Sequence, residues 1–156
     1  MRDLRVSLTS NYVKWHTRYG VDFSTYLRGD VSGRRYNSDL WWTLRFLNAW
    51  GDTHAAVPAR VMVLRYEDLQ RATTLELTRV AAHFELDLSE AALAHGVAHS
   101  DKAAMAARAD PNRPPGAVRI GGKEAEPQWS AADSAFVREA CRRCLRHDYG
   151  YAYANA

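Results

Sequence analysis

The stretch that decides the predicted fold is Arg-Val-Met-Val-Leu-Arg-Tyr-Glu-Asp-Leu, residues 60–69. Its apolar run alternates too weakly for a surface strand and is typical of a strand covered on both faces. The acidic pair Glu67 and Asp68 suits the first turn of a helix, where the helix dipole favours negative charge. We therefore predict a buried strand over residues 60–65 that runs into a helix.

Helical periodicity dominates the rest of the chain. The first predicted helix covers residues 3–18, ends at Gly20, and places four apolar side chains on one face: Leu4, Leu8, Tyr12 and Trp15. Polar residues that can cap later helices precede four further apolar patterns: Asp22, Asp39, Ser89 and Ser130. Residues 110–128 are rich in proline and glycine and predict an extended loop. A single buried strand requires neighbouring strands, so we expect part of a parallel sheet.

Composition sets the broad class. The chain has 156 residues, 47% apolar content and a net charge of +3, which is enough for one domain with a core and suits an anionic ligand. The arginines are scattered and form no recognition motif, so we expect no nucleic-acid partner. The N-terminal charges precede no apolar run, and no stretch is apolar enough to span a membrane, so we expect a cytoplasmic protein. Cys141 and Cys144 are too few for a closed zinc site and predict two reduced thiols.

Two short motifs carry residues suited to an anion. Arg2 and Ser10 lie eight residues apart. The arginine supplies a planar bidentate fork for a phosphate, and a serine near the start of a helix adds a hydroxyl donor. In the second motif Arg119 precedes Gly121 and Gly122, whose lack of a side chain lets backbone N–H groups approach an anion closely. Either motif alone also fits an ordinary basic surface or a flexible turn.

Taken in order, three motifs resemble the C-terminal half of the sulfotransferases that use 3′-phosphoadenosine 5′-phosphosulfate (PAPS). They are Arg2 with Ser10, Tyr-Glu-Asp-Leu at residues 66–69, and Arg-Ile-Gly at residues 119–121, where the family has Arg-Lys-Gly. The family's Lys-Ser-Gly-Thr-Thr type loop and its upstream catalytic histidine have no counterpart in the chain. The resemblance implies a truncated α/β fold of the P-loop-like sulfotransferase type, mostly helical with few parallel strands, as a single partial domain over residues 1–156.

The resemblance also implies which residues contact the nucleotide. Arg2 and Ser10 match the positions that hold the 3′-phosphate of PAPS, Tyr66 the position near the adenine, and Ser100 a hydroxyl position beside the adenosine. The full implied set of cofactor-binding residues is Arg2, Ser10, Tyr66, Ser100, Arg119, Gly121 and Gly122. No catalytic residue and no metal ligand is assigned. The co-substrate is PAPS, and the second partner is an acceptor that carries a hydroxyl or an amine.

Other interpretations fit parts of the same pattern. Tyr66 also suits a ring packed in the core with its hydroxyl at the rim, a common arrangement at the end of a strand. The whole chain also fits a non-catalytic helical module that binds a nucleotide or another anion, as a degenerate sulfotransferase would. The sequence therefore leaves an enzyme and a binding module open.

Overall fold

The computed structural model describes residues 1–32, 34–100, 102–107 and 127–153. Within these ranges the regular secondary structure is entirely helical. The helices in chain order are α1 Leu4–Tyr19, α2 Phe23–Arg28, α3 Leu40–Ala56, α4 Tyr66–Arg71, α5 Thr73–His83, α6 Glu90–Ser100, α7 Lys102–Ala107 and α8 Ala131–Cys144. None of them, in the part of the chain described, is long and apolar enough to cross a membrane.

The chain divides into two compact units. The first comprises Met1–Val63 together with Ala125–Ala156, and it contains α1, α2, α3 and α8. The second comprises Leu64–Glu124, and it contains the helices α4 to α7. The first unit is thus built from two pieces of chain that are separated in sequence by the whole of the second.

Leucines at helical spacing form the core of the first unit. Leu4 and Leu8 of α1 are 1% and 0% exposed, as predicted, whereas Val13 is buried and the predicted Tyr12 and Trp15 are only partly buried. Residues of the other three helices complete the cluster: Tyr26, Leu27, Leu40, Leu44, Val137 and Ala140. Because each helix presents one apolar face, the four pack around a common interior.

Side-chain caps fix where the helices begin. The carboxylates of Asp3, Asp22 and Asp39 accept hydrogen bonds from the third backbone N–H beyond each, at 2.8–3.0 Å. Ser89 accepts from the N–H of Ala92, and Ser130 with Asp133 forms the predicted capping box of α8. The predicted caps Asp22, Asp39, Ser89 and Ser130 are therefore confirmed. Gly20 ends α1 with φ of 63°, a left-handed conformation that glycine adopts without a steric cost.

The strand predicted over residues 60–65 is wrong. Residues 61–65 have no regular secondary structure and are half-buried, and none of the described residues forms a strand. A strand is stabilised by its hydrogen bonds to a neighbouring strand. Here the carbonyl oxygen of Val61 lies 2.7 Å from Nδ1 of the His54 ring instead. The helix predicted to follow does begin at Tyr66, with Glu67 and Asp68 in its first turn.

In the second unit α4, α5 and α6 pack in sequence. Ala81 of α5 is buried, and Leu77 and Val80 of the same helix are half-buried. The helix ends in a Schellman motif, because the N–H of Leu86 donates to the Ala81 carbonyl and Glu85 takes the left-handed conformation with φ of 53°.

The thiols behave as the sequence indicates. Cys141 and Cys144 are both free. Cys141 is buried against the core, and this burial raises the pKa of its thiol to about 12. A thiol so far from ionisation is a packing group rather than a nucleophile.

The segment after α8 is fastened to α3. The side chain of Asn48 donates to the Cys144 carbonyl and accepts from the N–H of Arg146, each at 2.7 Å. The His147 ring packs directly over Gly51, and its Nε2 lies 2.8 Å from the carboxylate of Asp52. The contact requires glycine, because a Cβ at residue 51 would lie 2.2 Å from Cγ of His147.

We therefore expect Gly51→Ala to lower the free energy of unfolding by about 1–3 kcal/mol through overpacking. Urea denaturation measures the change. The matched control is Gly96→Ala in α6, where an added Cβ meets nothing within 4 Å. That variant should gain about 0.5–1 kcal/mol from helix propensity. Equal effects of the two substitutions would show that His147 does not pack on Gly51.

A buried carboxylate joins α2 to α8. Asp133 is 3% exposed and accepts hydrogen bonds from Arg28 at 2.6 Å, from the Ser130 hydroxyl at 2.6 Å and from the Ser24 hydroxyl. Burial by itself raises the pKa of Asp133, but these hydrogen bonds, together with one from the Ser130 backbone N–H at 3.3 Å, outweigh it and hold the pKa well below its usual range.

Because this pKa is lowered on folding, the ionised carboxylate stabilises the fold above the ordinary aspartate pKa, and the stabilisation is lost as the pH falls towards the lowered value. We expect Asp133→Asn to lower the free energy of unfolding by about 1.5–3 kcal/mol at neutral pH. The difference from the parent should shrink on acidification in denaturant titrations. Glu139→Gln, which alters a carboxylate 42% exposed, should change far less. A deficit in Asp133→Asn that is independent of pH would contradict this account.

Candidate anion site

Arg2 and Ser10 both lie on the exposed surface around the first half of α1. Arg2 is exposed and immediately precedes the cap residue Asp3. Ser10 is exposed in the second turn of the helix. Its backbone N–H belongs to the interior of the helix, so its hydroxyl is the group that can meet an anion.

The backbone at the start of α1 is largely committed to the protein. The N–H of Leu4 donates to the hydroxyl of Tyr153 at 2.8 Å, and the N–H of Val6 donates to Asp3 at 3.0 Å. A helix N-terminus often binds anions through such N–H groups. Here an anion at Arg2 and Ser10 would depend on side chains instead.

Several contacts hold this end of α1 in place. The Arg5 guanidinium lies 4.5 Å from the centre of the Trp129 ring and donates to the hydroxyl of Ser134 at 3.1 Å. The Trp129 indole N–H in turn donates to the hydroxyl of Thr9 at 3.0 Å. The helix that presents Arg2 and Ser10 is therefore fixed to the start of α8, and binding an anion there would not require α1 itself to become ordered.

Sequence reasoning missed Lys14, a cation on the same face of α1 as Ser10. Val6, Ser10 and Lys14 follow each other at intervals of four residues, so they share one side of α1, and all three are exposed. The Lys14 ammonium lies 5.0 Å from the centre of the Trp15 ring, and the Arg18 guanidinium lies 5.9 Å from it. The interval from Ser10 was the signal that could have identified Lys14.

The remaining predicted residues lie elsewhere. Tyr66 is the first residue of α4 and half-buried, and its hydroxyl accepts from the Gln70 amide at 2.8 Å. Ser100 is exposed at the end of α6 and donates to the Val97 carbonyl at 3.1 Å. Both belong to the second unit, whereas Arg2 and Ser10 belong to the first.

The third motif is outside the residues that the structure describes. It comprises Arg119, Gly121 and Gly122. The structure thus places Ser10 on α1 and Arg2 directly before the cap residue of the same helix, and the convergence of all seven predicted residues on one nucleotide stays a prediction.

Among the described residues, no group of three or more His, Cys, Asp or Glu side chains is arranged to hold a metal ion. Comparison of the chain with protein-family models, with curated proteins and with solved structures finds no match. The sulfotransferase resemblance therefore depends on the three motifs alone.

The hydrogen bond from Leu4 to Tyr153 gives a direct test of how α1 is held. Burial raises the pKa of Tyr153, so its hydroxyl stays protonated at neutral pH and accepts through an oxygen lone pair. Tyr153→Phe would leave the buried Leu4 N–H without an acceptor, and we expect it to lower the free energy of unfolding by about 1–3 kcal/mol.

Tyr149→Phe is the matched control in the same urea denaturation experiment. The Tyr149 hydroxyl donates at 2.6 Å to the Leu47 carbonyl, which lies inside α3 and keeps its place in the helix ladder. Its loss leaves no orphaned group, so the cost should be smaller. A larger loss of unfolding free energy in Tyr149→Phe than in Tyr153→Phe would show that the hydrogen bond from Leu4 to Tyr153 does not hold α1 in place.

Proposed function

We propose that this chain is the 3′-phosphate- and adenosine-binding half of a PAPS-dependent sulfotransferase domain. The observation that carries the proposal is the order and spacing of the three motifs that begin at Arg2, Tyr66 and Arg119. The family fold for a complete domain is the P-loop-like α/β type, and the helices described here would flank its sheet. The reaction of such a domain transfers a sulfuryl group from PAPS to a hydroxyl or an amine.

The geometry of α1 supports the nucleotide-binding part of this proposal. A doubly charged 3′-phosphate would accept two parallel N–H bonds from the Arg2 guanidinium and one O–H bond from Ser10. Lys14, one helical turn beyond Ser10, adds positive charge on the same face. Charge-assisted bonds of this kind are about twice as strong as neutral ones, so the phosphate would dominate recognition.

In the second unit, Tyr66 would place its ring against the adenine. The Ser100 hydroxyl, whose proton is bound to the Val97 carbonyl, would accept a hydrogen bond from the adenosine. Aromatic rings bind base faces by stacking, which is worth about 1–3 kcal/mol per base. The resemblance implies that the third motif contacts the phosphate through Arg119 and through the backbone N–H groups of Gly121 and Gly122. The chain's assigned residues thus bind and orient PAPS and do not touch the sulfuryl group.

A second function fits the entirely helical regular structure of the described residues. In this alternative the chain is a non-catalytic helical module that binds a nucleotide or another anion. Both functions use the same phosphate contacts, but only the sulfotransferase function includes transfer of the sulfuryl group.

Calorimetry with 3′-phosphoadenosine 5′-phosphate tests the shared contacts. We expect Arg2→Ala, Ser10→Ala and Arg119→Ala each to weaken binding, with a loss of about 1.5–3 kcal/mol for a charge-assisted contact. Adenosine 5′-phosphate, which lacks the 3′-phosphate, should bind the parent and the Arg2 and Ser10 variants equally. The control is Thr17→Ala, another exposed position of α1. Unchanged affinity in the Arg2 and Ser10 variants would overturn the assigned clamp.

A turnover assay separates the two functions. The chain is incubated with PAPS labelled in the sulfuryl group and with phenol or amine acceptors, and labelled product is counted. Labelled product that is lost in Ser10→Ala supports the sulfotransferase. Nucleotide binding without any labelled product, even after an N-terminal half that carries the Lys-Ser-Gly-Thr-Thr type loop is supplied as a second chain, supports the binding module.

A further inference from the structure

Two cavities of the first unit share one wall, the side chain of Cys141. The smaller, of about 20 Å³, lies between the start of α1 and α8, where Arg5 and Arg138 line it together with Cys141. The larger, of about 330 Å³, is lined by Cys141, Arg142, Leu145, Arg146 and Asp148. Its volume is within the range of ligand sites in proteins. We call the two cavities together the α8 groove.

The charged residues that line the α8 groove are mostly cations. Four of them are arginines and one is acidic: Arg5, Arg138, Arg142, Arg146 and Asp148. Arg138 and Arg142 are exposed and lie one turn apart on α8. Among the described residues, no acidic side chain forms an ion pair with Arg138. The groove therefore presents an excess of positive charge to a partner.

Two of these arginines are held in place and still keep donors. Arg142 donates to both carboxylate oxygens of Glu139, at 2.7 and 2.8 Å, and Arg146 donates to Asp52. A guanidinium has five N–H donors, so each of the two can bind a further carboxylate. Because Glu139 and Asp52 already orient them, binding a partner would cost less side-chain entropy.

The floor of the α8 groove is apolar. Cys141 is 2% exposed, and Leu145 is half-buried against the core. A buried cysteine packs as a small apolar group. An apolar floor below a cationic rim suits a partner that carries carboxylates beside an apolar side chain. A nucleic acid fits less well, because its phosphates would meet the Asp148 carboxylate and its backbone would leave the floor unfilled.

We propose that the α8 groove binds an acidic peptide segment of a partner protein. An apolar side chain of the segment fills the larger cavity against Cys141 and Leu145. Carboxylates on either side of it bind Arg138, Arg142 and Arg146. Because arginine binds a carboxylate through two parallel N–H bonds, the rim also orients the peptide. This inference does not depend on the proposed sulfotransferase function, since no residue of the groove belongs to the predicted nucleotide-binding set.

Fluorescence anisotropy with a labelled peptide of two Asp-Leu-Glu-Glu-Leu repeats tests the groove. We expect saturable binding to the full chain that weakens as salt is added, because exposed charges are screened. Peptides with Asn and Gln in place of the acids, or with Ala in place of Leu, should each bind at least about threefold more weakly. Equal binding of the Ala peptide, or no binding of the parent peptide, would overturn the proposal.

Variants of the chain locate the binding. Arg138→Ala should weaken peptide binding by about threefold to fivefold, which is what one exposed charge pair supplies, and Arg138→Lys should restore part of the loss. The control is Arg18→Ala, which removes an exposed arginine of α1 and should leave binding unchanged. Circular dichroism checks that the variants keep their helices. Parent-like binding in Arg138→Ala, an equal loss in Arg18→Ala, or tighter binding of oligothymidylate than of the peptide would contradict an acidic-peptide site.

Discussion

The first unit depends on one hydrogen bond between residues that are 149 positions apart, from the buried Leu4 N–H to the hydroxyl of Tyr153. A helix start leaves backbone N–H groups without partners, and burying one of them without an acceptor costs about 1–3 kcal/mol. Leu4 cannot be released to water without also exposing the leucine face of α1. The burial of Leu4 and the position of Tyr153 are therefore coupled, because the buried Leu4 N–H requires an acceptor and the Tyr153 hydroxyl is that acceptor.

The same coupling shapes the candidate site. Arg2 and Ser10 lie on either side of Leu4 and Leu8, which are among the most completely buried residues of the chain. The core thus fixes the backbone between the two polar side chains, while Arg5 and Trp129 fix its direction against the start of α8. A phosphate would meet a surface whose backbone geometry is set by packing, so the entropy lost on binding would come mainly from the side chains.

Local signals in the sequence predicted the helices well and the strand poorly. Asp22, Asp39 and Ser130 act within three residues of themselves, so their capping is readable from the sequence. Residues 61–65 have the composition of a strand, but a strand depends on hydrogen bonds to a neighbouring strand. The group that meets the Val61 carbonyl here is the ring of His54. Arg2 and Ser10 were proposed from their spacing, and their role stays a prediction. The contacts of Tyr153, Arg5 and Trp129 that hold the start of α1 join residues distant in sequence, and no local pattern predicts them.

The two-piece construction of the first unit has a consequence for synthesis on the ribosome. Residues of α1, α2 and α3 emerge early, yet the apolar face they share stays uncovered until α8 and Tyr153 have been translated. At about 5–20 residues per second the whole intervening unit delays that moment by several seconds. During this interval the nascent chain displays leucines and tyrosines that the finished protein hides, and chaperones that recognise apolar segments would find them there.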